Sequence, residues 1–323
     1  MRDGIRKRIK VRYTIYLILL LSPISYLFST LYTEGDQVHY RLVYELISDK
    51  TFIESYLIYQ RSLNSSEIGH FLLTWIGSRL VEKDLFVTLL NTLLLIYGTL
   101  FLHKITRRSP LLILFLLLSN YYIFTLMFSA ERLKVAFIFL FIFMYYYENL
   151  KLRIPFLFMA ILSHVSIIIL IASSFFPRLI KSLLRTVLTG KLNLFLLKYI
   201  IIIIFVLMIF FDHIYNKVVG HAFLYFDINN SFKILGLMLF IWPFIRNHRV
   251  RYVYIMLLMA VSAIIIGDSR VNIYAFLYSQ YHYLHYENIK SLPFIIMAFY
   301  LFLKTIQFVY NVIHYGDAYY LSS

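Results

Sequence analysis

Long apolar stretches, separated by short polar clusters, make up most of this chain. A helix crosses the hydrocarbon of a bilayer with about 20 residues. Apolar runs near that length recur at residues 13–32, 85–103, 110–129, 132–148, 154–176, 199–214, 231–245, 252–267, 270–286 and 292–313. The pattern predicts an all-α, polytopic helical integral membrane protein with about 10 transmembrane segments. No internal repeat, linker or second domain interrupts it, so 1–323 reads as a single membrane domain.

Residues 33–84 break the pattern. They mix polar and aromatic positions and hold Glu34, Asp36, Glu45, Asp49, Glu54, Glu67, Glu82 and Asp84. Within them 67–81 is apolar but short for a crossing, which predicts an interfacial helix lying on the membrane.

Composition agrees with the pattern. The chain is 61% hydrophobic and 15% charged, against about 45–50% apolar and about 25% charged in soluble domains. Its net charge of +15 would suit nucleic acid, but the basic residues sit between apolar spans as the positive-inside rule places them. No nucleic-acid partner is expected. Residues 1–12 form a basic tail, and the following run has span length and no small-residue cleavage site. An uncleaved first helix with a cytoplasmic N-terminus is predicted, which makes 33–84 a long external first loop. The absence of cysteine excludes disulfides and thiolate chemistry. No P-loop, HExxH or paired-carboxylate motif is present, so no metal or cofactor is expected.

The basic clusters at 103–109, 148–153, 178–198 and 246–251 all ask to be cytoplasmic. Alternating the runs satisfies the first two, then fails: a spanning 154–176 would carry 178–198 outside. Either 154–176 is a re-entrant pair of half-helices turning near Ser163–Ser166, or 67–81 spans after all. Re-entrant backbone is tolerated where it is buried in protein or faces a watery cavity.

Four polar groups carry candidate chemistry. Asp36, Tyr40 and Tyr44 share one helical face at i, i+4 and i+8, and Gly35 permits a sharp exit from the first span. A carboxylate backed by tyrosines suits sugar binding, and Asp36 could take a proton from a hydroxyl; a solvated helix in a tyrosine belt would look the same. Glu67 opens the 67–81 helix, where the helix dipole alone would favour it, with Ser65 or Ser66 as N-cap. Arg132 and Lys134 interrupt an apolar run and could share one diphosphate, or snorkel at an external turn. His164 lies inside an apolar run, a functional candidate at that depth, with a structural histidine as its competitor. Asp268 and Arg270 form a weaker group that could simply pair.

At these residues the chain resembles the EpsG/Wzy-like family of bacterial polysaccharide polymerases. The resemblance rests on Asp36, Tyr40 and Tyr44 early in the outer loop, "EIGHF" from Glu67, Arg132 with Ala136, His164 with Ser166, and Arg270 with Tyr274. The family's residue after the arginine is often Gln, and here it is Leu133. The resemblance implies a GT-C-like, metal-independent glycosyltransferase of the bacterial inner membrane. It would join repeat units carried on undecaprenyl diphosphate at the external face, for O-antigen or capsule. Its partners would be that lipid-linked oligosaccharide, membrane lipids, a chain-length regulator and a flippase. Asp36 would be the base, with His164 second; Arg132, Lys134 and Arg270 would hold the departing diphosphate, and Tyr40, Tyr44, Glu67 and Tyr274 the substrate. A flippase of the lipid-linked unit and a membrane acyltransferase using His164 remain as rival classes, although a transporter typically shows related halves.

Overall fold

The computed structural model describes residues 2–190, 197, 201 and 227–319. Among them every regular element is a helix. The chain divides into two compact units, Met1–Ile167 with Phe294–Ser323, and Ile168–Pro293.

In the first unit α1 (Arg2–Leu31) and α5 (Lys83–Thr106) flank the segment expected as a loop, which folds as α2 (Asp36–Leu46), α3 (Phe52–Leu63) and α4 (Ile68–Leu80). Gly35 turns the chain out of α1 at φ 60°, a conformation that glycine reaches without strain. Thr51 and Glu54 close α3 with a capping box. The three helices share a core of Val43, Ile47, Tyr59 and Phe71, flanked by Trp75. Arg41 ties this cap to the long helices, bonding the Asp84 carboxylate at 2.5 Å and the Ser29 carbonyl at 2.7 Å. At 13 residues, α4 is too short to cross a bilayer.

Then follow α6 (Pro110–Leu118), α7 (Tyr121–Phe128), α8 (Glu131–Tyr145) and α9 (Leu150–Ser163), and the chain returns to this unit through α14 (Leu292–Tyr315). The second unit contains α10 (Ile167–Thr189), α11 (Phe232–Ile241), α12 (Arg249–Ile266) and α13 (Asp268–Tyr286). There Tyr252 and Ser279 pair their hydroxyls at 2.9 Å between α12 and α13.

Among the described residues four helices are long and apolar enough to cross a membrane: Lys10–Leu31, Lys83–Thr106, Ile167–Thr189 and Leu292–Tyr315. Leu20, Ile24 and Leu27 on α1, and Phe299 on α14, present exposed apolar surface, as lipid-facing helices do. This is a membrane-embedded helical protein. The expectation of about ten spans is not supported; one further span results if the α6–α7 pair, bent by 73°, counts as one. Helix ends fall inside or short of the predicted runs. Asn120 stops the 110–129 run and caps α7, its side-chain oxygen accepting from the Tyr122 amide at 2.8 Å. The 132–148 run is only the 15-residue α8. The 199–214 run, residue 201 apart, lies outside the described residues, as do Lys191 and Lys198 of the basic segment.

The chain does break at the predicted turn, between Ser163 and Ile167. The second arm, however, is no half-helix ending at 176. It continues through Pro177 to Thr189 as one 23-residue helix, so residues 178–189, expected as a loop, are helical.

Candidate functional site

Glu67 is the organising residue. It stands at the N-cap position of α4, yet its side chain caps nothing. The carboxylate is buried, at 2% exposure, where an unpaired charge would be very costly. It accepts instead from Ser65 Oγ at 3.1 Å, pairs with Arg132 Nη1 at 3.2 Å and bonds His164 Nδ1 closely. The N-cap position is therefore neither Ser65 nor Ser66 but Glu67 itself, and its carboxylate makes no capping hydrogen bond.

His164 ends α9, leaving the helix with an extended backbone that directs its ring at Glu67, 97 residues away in sequence. The approach of α4 to α9 depends on Gly69. A Cβ there would stand 2.5 Å from Ser163 Oγ and 2.8 Å from the Ser163 amide nitrogen. The "EIGH" step is thus explained sterically: the glycine lets two helices close until carboxylate and imidazole meet.

Arg132 lies in the first turn of α8, and its Nε donates to the Tyr40 hydroxyl at 3.3 Å. Its side chain keeps 16% exposure, against 1% for Glu67. It is the member of this network that reaches the surface. Burial raises the Tyr40 hydroxyl above the ordinary tyrosine range, against the pull of Arg132. Asp36, one turn before Tyr40, begins α2 and is exposed. It accepts from Ser129 Oγ at 3.3 Å, just ahead of α8. The first unit thus gathers Asp36, Tyr40, Glu67, Arg132 and His164 from α2, α4, α8 and the end of α9.

Two expected members take other roles. Lys134 does not share a ligand with Arg132: it is fully buried and donates to Asn91 Oδ1 at 3.0 Å and to the Met127 carbonyl at 2.7 Å. Residues at i and i+2 on a helix do not face each other, so 132 and 134 diverge. Tyr44 is unavailable for stacking on a sugar. Its hydroxyl donates to the Val81 carbonyl at 2.8 Å and its ring lies 5.2 Å from Lys83 Nζ. Arg270 and Tyr274 belong to the second unit, with Tyr274 fully buried on α13. The pairing of Asp268 with Arg270 lies outside the described residues.

Sequence reasoning missed a second network beside the first. Glu131, beside Arg132, is fully buried and accepts from Lys83 at 2.6 Å and Gln37 at 2.9 Å. Gln37 also donates to the Phe128 carbonyl. Their signal was present, a carboxylate at the head of an apolar run and a lysine at the head of another, but nothing local linked them. His70 was passed over as well. Tyr59 OH lies 3.0 Å from its Nδ1, and burial holds its imidazole neutral, down to about 3. Among the described residues no group of His, Asp and Glu could hold a metal ion. No family model, curated protein or solved structure matches the chain.

Proposed function

We propose that the protein is a membrane glycosyltransferase of the polysaccharide-polymerase type, with a GT-C-like plan, joining lipid-diphosphate-linked oligosaccharide units at the outer face of a bacterial inner membrane. The observation that carries the reading is the convergence of Asp36, Tyr40, Glu67, Arg132 and His164, residues that set the resemblance before any of them could be known to meet.

The chemistry divides among them by exposure. Arg132 is the cation that can reach a ligand, and its planar fork suits a diphosphate. Glu67 and Tyr40 hold that fork from behind, so little ordering is left for the moment of reaction. Asp36 is open to solvent and can accept the proton of an acceptor hydroxyl. That hydroxyl attacks the anomeric carbon of the donor sugar, the bond to the diphosphate oxygen breaks, and the lipid diphosphate departs against Arg132. His164, locked on Glu67, is a positioning residue in this scheme and the alternative base. The acyltransferase reading draws on the same Glu67–His164 pair, but it leaves Asp36 and Tyr40 without work.

The test is deletion of the gene in its native host, complemented by variants and read as a surface-polysaccharide ladder on a gel. Asp36→Asn, nearly isosteric but no base, should abolish the ladder while single repeats are still displayed. Loss of all surface repeat on deletion would mean a flippase. A normal ladder in Asp36→Asn with none in His164→Ala would move the base to His164.

A further inference from the structure

The second unit contains a cleft of about 880 Å³ between the C-terminal half of α10 and the start of α12. Ile180, Leu184 and Val250 form apolar walls, and Lys181, Arg185 and Arg251 place their cations among them. Spacing explains the arrangement on α10. Ile180 with Leu184, and Lys181 with Arg185, are i, i+4 pairs on adjoining strips of one helix. Arg249 also lines the cleft, its guanidinium held 4.6 Å over the Trp242 ring.

Among the described residues no carboxylate lines this space. The Glu287 carboxylate is engaged by the backbone amides of Arg246 and Asn247 at 3.0 and 2.6 Å. Among the described residues no salt bridge engages Lys181, Arg185, Arg249 or Arg251. Like charges crowded without a counter-ion repel, so the cleft is arranged for an anion. A soluble anion would be met by polar walls, whereas here Leu184 is 51% and Val250 67% exposed beside the cations. Apolar surface next to unpaired cations fits an amphiphile with an anionic head.

We propose that this cleft binds the phosphate headgroup of an acidic phospholipid, with the acyl chains against the α10 wall. The site uses none of the residues assigned to polymerisation, so it stands or falls separately from that reading.

The experiment is native mass spectrometry of the full-length protein in neutral detergent, with phosphatidylglycerol, phosphatidylcholine or inorganic phosphate added. Each basic side chain near a membrane surface contributes about fivefold to anionic-lipid affinity. Lys181→Gln/Arg185→Gln/Arg251→Gln should therefore lose on the order of a hundredfold in phosphatidylglycerol retention. Phosphatidylcholine retention should stay low and unchanged. The control Lys151→Gln/Lys290→Gln/Lys304→Gln removes the same charge elsewhere and should retain phosphatidylglycerol. Should the triple cleft variant aggregate, the single Arg185→Gln, at an exposed position, should still lose about fivefold. Equal retention of the two lipids by the unaltered protein would overturn the proposal. So would an equal loss in the control, an unchanged single variant, or full displacement of the lipid by inorganic phosphate, which would mean a site for the free ion.

Discussion

Glu131 and Arg132 are adjacent in sequence, but each anchors a different ionic network. Consecutive helical residues point about 100° apart, and that rotation separates two kinds of site. Glu131 turns inward to Lys83 and Gln37, with Lys134 buried one turn on. Every one of those side chains is enclosed and bonded. Arg132 turns toward Glu67 and Tyr40 and keeps part of its guanidinium at the surface. A closed network can only hold shape. One with an open cation can hold a ligand as well, and its buried partners fix where that cation points.

The comparison breaks most directly at Glu131. Glu131→Ala strands Lys83 in the interior without its carboxylate, which should cost about 3–5 kcal/mol. Thermal unfolding in detergent should shift down accordingly, and protein in the membrane should fall. An unchanged melt would show that the network is not closed in the way its distances suggest.

Arg132→Lys should do the reverse. The charge beside Glu67 remains, so unfolding should move little, while loss of the fork should slow the proposed polymerisation by about 10²–10³-fold. Ladder length on a gel at matched protein level is the measurement. A normal ladder would return Arg132 to a structural part.

Gly69→Ala tests the steric hinge between the two helices. The added methyl would meet Ser163 backbone and side chain well inside contact distance, at a cost of about 1–3 kcal/mol. It should also part Glu67 from His164, so ladder length and melting temperature should fall together.

The smallest effect concerns His70, which feels Glu131 and Lys83 from one network and Arg132 and Glu67 from the other. Its folded pKa is depressed from 6.5 to about 3, chiefly by burial. The stability from keeping it neutral is therefore complete above pH 6.5. It is lost as pH falls from 6.5 toward about 3, by roughly 1.4 kcal/mol per pH unit, because the unfolded chain takes up a proton that the folded one refuses. Melts at pH 7 and pH 5 (about two units apart) should show that loss, and His70→Gln should flatten it.

The fold and the site were legible to different depths. Apolar run length identified a membrane-embedded helical chain, and the interruption at 163–166 located a real break. Run length can hide a break, because hydropathy averages over Asn120, which stops one helix inside the 110–129 run and caps the next. For the site, Asp36, Tyr40, Glu67, Arg132 and His164 could be named as candidates from residue type and order. Lys134 and Tyr44 were named for the same reason and lie elsewhere. The i, i+2 spacing from Arg132 already argued against the first; nothing local argued against the second, whose hydroxyl is taken by Val81.

The sequence by itself determined what is written in short-range pattern: helices, their apolar faces, the cysteine-free chemistry and the residue types available to a site. Only the tertiary structure decided which charges are paired and which remain open. Glu67 meets His164 across 97 residues, and Lys83 meets Glu131 across 48. Such pairings have no period. They follow from where a glycine lets two helices approach, and from the free-energy cost of leaving any buried charge unmatched.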